Sequence, residues 1–544
     1  MKRFIEKEIN SQYDLIVIGG GITGAAVAYD AASRGLSVAL LEKDDFGGAT
    51  SSVTSKLIHG GLRYLATMEF GLVRESLRER KTLENIAPNF VYPIANLIAN
   101  NNNKITNTKW VIKLGMILYD ILSFDKGFTW DKSKAIPLHK TYSTKKVLEL
   151  EPNVKKEGLT GGSVYYDCIS IFPERLTLAF IKSAIKYGTD VANYARVTGF
   201  IKSDNKIIGV EVNDLLKSKQ LQIKAKLVIN CAGPWADTVL GLAKKQKKND
   251  SGLRRSEGVH FITKKLTNKH MVTSITPKGK HFFLVPWRNH SLIGTTDKEY
   301  IGSPDNYKVT KKSILELLED VNSAFGNDDP IDYKDIIFTY GGLRPLVEDQ
   351  TEDVYETSRK YEIYDNAKDG LDGLITVEGG KYTTSRNLAQ SAMKIIKEKI
   401  DKPLGKMITD KEHLATCEIT DMIKFIDDLK KDYADYDKKT VDYIGRNYGT
   451  ECKNIFEIAK DNKELSKSLN EDGEMLAQVV YAVKNEMARK LTDVLFRRTG
   501  LGTLGNPGDK VLKAVSLIMA KELEWNNEKL EKEIAEAKQA LSIP

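Results

Sequence analysis

An α/β protein that closes on an all-helical domain is the expectation for this sequence of 544 residues. Three stretches carry it. "DLIVIGGGITGAAVAYDAASRGLSVALLEKDD", residues 14–45, reads as strand, glycine turn, helix and strand. "GLITVEGGKYTTSRNLAQSAMKII", residues 373–396, repeats the strand, glycine turn and helix far along the chain. After about residue 400 the strand patterns vanish, and helical periodicity runs to Pro544.

Each element has a local reason. Residues 14–18 are an unbroken apolar run, as a parallel strand covered on both faces requires. The Ala-rich residues 24–33 predict a helix, with Gly35 as its stop. "SVALLE" is the next strand. Residues 66–87 and 173–188 read as helices, and 226–233 as a buried strand ending in a turn. "HFFLVPWRNHSLIGTTD", 281–297, reads as a hairpin with Arg288, Asn289 and His290 at its tip. Residues 402–412 are a linker, so the helical domain is placed at 405–544, closing on a charged surface helix.

Composition narrows the functional classes only a little. The net charge of +8 suits an anionic ligand, an anionic membrane surface or nucleic acid, without choosing among them. No concentrated basic stripe or RNA-binding motif points to nucleic acid. Cys168, Cys231, Cys417 and Cys452 lie far apart, which fits reduced thiols in a cytoplasmic protein. The seven histidines show no metal-ligand spacing, so no metal is expected. The N-terminus lacks the apolar core of a signal peptide. The longest apolar patch, 110–122, is broken by Lys113 and Asp120 and is too short to span a bilayer. Any membrane contact is therefore peripheral. Residues 108–124 read equally as an interfacial amphipathic segment or as a core helix, and the basic 496–502 as facing acidic lipid or a domain interface.

The first chemistry-bearing motif is Gly19, Gly21 and Gly24, a GxGxxG that follows a strand and opens a helix. The first glycine permits the tight turn, the second lets a pyrophosphate approach the backbone, and the third lets helix pack on strand. Free N–H groups and the helix dipole then stabilise phosphate. Glu42 ends the second strand, where a carboxylate accepts both ribose hydroxyls and repels a 2′-phosphate, which disfavours NADP. The second motif is "SKLIHGGLRYL", 55–65. It gathers Lys56, His59 and Arg63 around Gly60 and Gly61 inside an apolar frame, which predicts an anionic ligand. His59 and Arg63, four residues apart, would share a face if the segment were a helical turn.

The GxGxxG unit, "ATSSVTSKLIHGGLRYL", "INCAGPWA", "IGTTD", "YGGLRPL", "GGKYTTSR" and the tail segment "MARKLTDVLFRRTGLG" together resemble the FAD-dependent glycerol-3-phosphate dehydrogenases, within the amino-acid-oxidase-like flavoproteins. The motifs stand in the family's order and cover nearly the whole chain; the first position of "TSKLIHGGLRYL", Tyr382 and Ser385 depart from common family residues without removing a charge. The resemblance implies a Rossmann-like FAD-binding domain (1–400) interleaved with a mixed-sheet substrate domain (about 90–150 and 236–335), plus the C-terminal all-helical domain. It implies FAD contacts at Ser51, Ser55, Leu57, Ala232, Gly233, Gly380 and Thr383.

The implied substrate is glycerol 3-phosphate, a dianion with a secondary alcohol. Arg63 and Arg344 are the candidates to grip its phosphate, since arginine's planar fork suits that geometry. Lys381 adds charge, and Tyr64 either donates a hydrogen bond or simply packs. Alcohol oxidation needs a base near neutral pH, and His59 and His260 both qualify. The family's electron acceptors are membrane quinone or O2. The length, the tail and the lack of an obvious large insertion favour quinone, hence a cytoplasmic protein held peripherally on the cytoplasmic membrane, and a homodimer remains open. The rivals are an amine or 2-hydroxyacid oxidase, for which one arginine would suffice, and a non-catalytic FAD-binding sensor.

Overall fold

A twisted parallel sheet and a mixed sheet share this chain, and the backbone crosses between them several times. The structure is a computed structural model that describes all residues except 8, 10, 11, 66, 102–107, 245–252, 277, 278, 327–329 and 348–359. The chain opens with strand β1 (Tyr13–Ile18), helix α1 (Ile22–Ser33) and strand β2 (Val38–Leu41). Around β1 the parallel strands run Leu374–Gly379, Lys219–Asn230, β1, β2 and Asp190–Ala192. β1 is buried along its whole length, which its unbroken apolar run requires. α1 is buried nearly all round, between the sheet and helices Pro173–Lys186 and Ser385–Lys399. Its alanines let all three neighbours approach.

After β2 the chain leaves this sheet. A two-residue strand, β3 (Leu57–Ile58), pairs with Leu159–Ser170 at the end of the mixed sheet. That sheet continues through Val91–Asn101, Met271–Ile275, His281–Trp287, His290–Gly294, Leu253–Lys264 and Phe338–Val347. Only the pairing of Met271–Ile275 with Val91–Asn101 along this path is parallel. The segments 90–150 and 236–335 supply much of this sheet, while Leu159–Ser170 and Phe338–Val347 join it from outside them. The hairpin 281–294 forms as expected, and Arg288 and Asn289 at its tip take positive φ. Helix α2 spans Phe70–Ile86, so the helix expected from 66 starts late; residue 66 itself lies outside the described residues. Helix α3 spans Lys109–Leu122.

From Met422 onward the regular elements are helical, ending in Asn527–Leu541. A buried ion cluster bolts these helices to the dinucleotide-binding unit. Arg498 donates both Nη atoms to Asp45, at 2.8 and 2.7 Å, and Arg497 Nε adds a third bond at 2.6 Å. Burial alone would raise the Asp45 carboxyl, but the two guanidinium groups outweigh it and hold the group below the ordinary carboxylate range. The basic stretch 496–502 therefore faces the interior and not lipid: Arg498 is buried and Arg497 nearly so.

Removing one member of such a cluster leaves buried charge uncompensated, which costs about 3–5 kcal/mol. Asp45→Asn is accordingly expected to lower the unfolding free energy from urea titration by about 3–5 kcal/mol, seen as a lower midpoint at unchanged slope. A midpoint within experimental error of wild type would remove the cluster from the account of stability.

Candidate functional site

One cavity of about 1320 Å³ runs from the β1–α1 turn to the mixed sheet. At one end stand Gly19 and Gly21. Gly19 has φ +104°, and a Cβ there would lie 2.6 Å from the Cys231 carbonyl oxygen. A Cβ on Gly24 would sit 1.9 Å from the Gly19 carbonyl oxygen. Gly24 does not line the cavity; it stands behind the turn and lets α1 close on it. α1 has no side-chain cap, so its first turn presents N–H groups to an anion. Ser51 lines the cavity and its Oγ accepts from Ile22 N at 2.9 Å.

Glu42 lies at the end of β2. It accepts from Gly20 N at 2.6 Å and Asp44 N at 2.8 Å. Burial raises its carboxyl to about 7 against the pull of these bonds. Ribose hydroxyls offer what such a group lacks, further donors. Ala232 and Gly233 flank the same end, next to Lys43, Trp235 and Asp305. Lys43 stacks 3.9 Å from the Trp235 ring and pairs with Asp305 at 2.7 Å. Glycine turn, uncapped helix and acceptor carboxylate fit an FAD adenosine diphosphate moiety. The rest of the cavity, past Ser55, Leu57, Gly380 and Thr383, leaves room for its flavin.

The far end holds the groups expected to meet the substrate. His59, Arg63, Tyr64, His260, Arg344 and Lys381 all line it. Arg63 and Lys381 share one aromatic platform: the Tyr64 ring lies 4.9 Å from Arg63 Cζ and 4.0 Å from Lys381 Nζ. Cation–π attraction of this kind offsets the repulsion of the two cations. Lys381 Nζ also donates to Ser76 Oγ at 3.3 Å. Arg344 lies over Gly258, where a Cβ would meet its Nη2 at 2.1 Å. It is braced by Thr296 O at 3.0 Å, by Asp297 at 3.4 Å and by Thr295 Oγ1. Part of its fork is thus committed to the protein, which fixes its direction.

The two histidines differ. His260 is 1 % exposed, bonded through Nε2 to Ser55 Oγ at 2.8 Å and stacked on Tyr340. Burial, then Arg344 and Lys56, hold its imidazole well below the ordinary range. His59 is half-buried, and Thr383 Oγ1 accepts its backbone N–H at 3.3 Å. Burial lowers it to about 4; Asp167 opposes this shift, and Lys381 and Arg63 reinforce it. Both rings are neutral at neutral pH, the state a proton acceptor needs.

Two expectations need correction. Lys56 does not join the cavity. It takes φ +62° and pairs with the buried Glu174 at 2.6 Å, because strand β3 begins at the next residue and turns it inward. His59 and Arg63 do not share a helical turn: Gly61, at φ +72°, separates the strand end from a short 3₁₀ helix, Leu62–Leu65. They line the same cavity all the same. Sequence reasoning also missed Asp167, Tyr119 and His281. His281 lines the cavity, lowered to about 4 by burial and then by Arg63. Its place at the head of the hairpin strand was a signal; Asp167, a carboxylate within the apolar strand "SVYYDCIS", was another.

The fold and this cavity define a flavin-dependent oxidoreductase. The chain matches the FAD dependent oxidoreductase family over residues 14–386. Residues 377–530 match the family described as the C-terminal domain of alpha-glycerophosphate oxidase. It is 33% identical to a glycerol-3-phosphate dehydrogenase of Synechocystis sp., covering 98% of this chain and 97% of that protein. It is 31% identical to the aerobic glycerol-3-phosphate dehydrogenase of Bacillus subtilis, covering 92% of this chain and 89% of that protein. Among solved structures, the glycerol-3-phosphate dehydrogenase of Bacillus halodurans complexed with FAD superposes with a TM-score of 0.77 at 27% identity, over 98% of this chain and 95% of that chain. The chain belongs to the family of FAD-dependent glycerol-3-phosphate dehydrogenases.

Two outcomes test the site. Gly24→Ala is expected to yield protein without flavin, read as visible absorbance per protein, because its methyl group collides with the turn; full flavin content would contradict this. The half-buried His59 and His281 also tie stability to pH. With His59 and His281 near 4 in the fold and about 6.5 when unfolded, the unfolded chain binds more protons between those values. Their contribution is complete above about pH 6.5 and is lost as pH falls toward 4. His281→Gln should flatten the decline of the urea midpoint across that window, and an unaltered slope would count against it.

Proposed function

We propose that this protein oxidises sn-glycerol 3-phosphate to dihydroxyacetone phosphate. The observation that carries the reading is the meeting of Arg63, Lys381 and Arg344 with two neutral imidazoles in the cavity that begins at the GxGxxG turn. A dianion held away from water needs several cationic donors, whereas a carboxylate needs one arginine. FAD, when bound, would supply the acceptor for the hydride of the carbinol carbon. Arg63, Arg344 and Lys381 bind the phosphate and orient that carbon. His59 accepts the hydroxyl proton on its unprotonated ring nitrogen, being the histidine less enclosed and nearer Lys381. His260, sealed in the sheet, holds Ser55 in place.

Membrane quinone is the proposed final electron acceptor. Support comes from α3 and the residues after it. Trp110, Leu114, Ile117, Ile121, Phe124 and Phe128 recur at spacings of three or four and are all exposed. The helix also buries Met116 and Tyr119, and Ile112, Leu114, Met116 and Leu118 border the cavity. The segment is therefore neither a pure core helix nor a free one. Lys113 stands 5.6 Å from Trp110 and Arg74 4.6 Å from Phe124, so basic groups border the apolar stripe. Such a face suits an anionic lipid surface. Among the described residues no helix is long and apolar enough to cross a membrane.

Arg344→Ala is expected to raise the KM for glycerol 3-phosphate about 10- to 100-fold, the worth of one or two charge-assisted hydrogen bonds, while FAD stays bound. A wild-type KM would remove Arg344 from the phosphate role. Leu114→Glu combined with Ile121→Glu should lower sedimentation with anionic vesicles by about 10-fold or more, since each side chain withdrawn from water is worth about 1.5–3 kcal/mol. Undiminished binding would exclude α3 as the lipid-facing element.

A further inference from the structure

We propose that Asp167 is a positioning residue for proton transfer: it fixes the Gly60–Gly61 turn and supplies the counter-charge for a proton on His59. This rests on the reading of His59 as the proton acceptor.

Asp167 lies on strand Leu159–Ser170, 1 % exposed, yet it lines the cavity. Three elements converge on its carboxylate. Arg80 Nη1 of α2 donates at 2.7 Å, the Tyr119 hydroxyl of α3 donates at 2.8 Å, and Gly60 N donates at 3.2 Å. Gly60 N also donates to the Tyr119 hydroxyl at 3.1 Å. The turn that carries His59 is thus pinned by its backbone to an anion. Only glycine fits at 60, because a Cβ would lie 2.4 Å from the Tyr119 hydroxyl and 2.5 Å from Leu77.

The chemistry asks for this anion. In the reaction the hydroxyl proton moves to the His59 ring nitrogen and the hydride leaves with its electron pair. The imidazole becomes an imidazolium. Of the charged groups that act on it, Lys381 from the glycine turn, Arg63 from the 3₁₀ helix and Arg80 from α2 oppose that cation. Asp167 from the mixed sheet is the group that favours it. Arg80 is committed to the same carboxylate, with Nε and Nη2 lacking partners among the described residues. In this role Asp167 works through His59 and the turn.

A double-mutant cycle separates this role from plain structural support. Asp167→Asn, His59→Gln and the double variant are loaded with FAD and reduced anaerobically by glycerol 3-phosphate in a stopped-flow instrument. Asp167→Asn is expected to slow flavin reduction about 10- to 100-fold, with substrate affinity changed less than about 3-fold. In the His59→Gln background the same change should cost less than about 2-fold. Equal losses in both backgrounds, or no loss in either, overturn the proposal and leave the base assignment standing. A wild-type rate in His59→Gln overturns both. If Asp167→Asn does not fold, Tyr119→Phe replaces it, with an expected loss of about 3- to 10-fold only where His59 is present; equal losses again overturn the proposal.

Discussion

Three imidazoles and three cationic side chains share one cavity, where burial first and the neighbouring cations second hold the imidazoles neutral. Lys381, Arg63 and Arg344 keep positive potential at the far end. That potential attracts a phosphate dianion and, together with burial, discharges His59 and His260. In the proposed reaction the same arrangement recruits the substrate and prepares its base. A cavity with one arginine would do the first only weakly.

Such an assembly is unfavourable unless the fold enforces it. The groups come from residues 59 to 381 and meet because the chain alternates between two sheets. Glycine makes the close approaches possible: Gly258 beneath Arg344 and Gly60 beneath Tyr119 have no room for a side chain. The Tyr64 ring lets two cations stand close together. Behind them, Asp45 with Arg497 and Arg498 ties the helical tail to the loop that follows Glu42. The tail thus braces the cofactor end of the cavity from outside.

The parts legible in the sequence were those whose reasons are local. Gly19, Gly21, Gly24 and Glu42 declare themselves by spacing after an apolar strand, and the alternation of strand and helix shows through hydrophobic period. Arg344 and Lys381 emerged because glycines precede them in motifs shared with a known family. Other residues depend on distant partners. Lys56 looked like His59 and Arg63 in composition, but one strand register sends it to Glu174. Arg497 and Arg498 looked like a surface patch because their anion, Asp45, is some 450 positions away. Asp167 stayed hidden because three separate elements define it.

The central claim is that the cavity selects a phosphorylated secondary alcohol and passes its hydride to FAD. Anaerobic mixing of the holoprotein with glycerol 3-phosphate, glycerol, lactate and an amino acid, with the flavin band followed in each, tests it most directly. The account predicts rapid bleaching with glycerol 3-phosphate and little with the other three. Comparable bleaching by glycerol or lactate, or none by glycerol 3-phosphate, would contradict it.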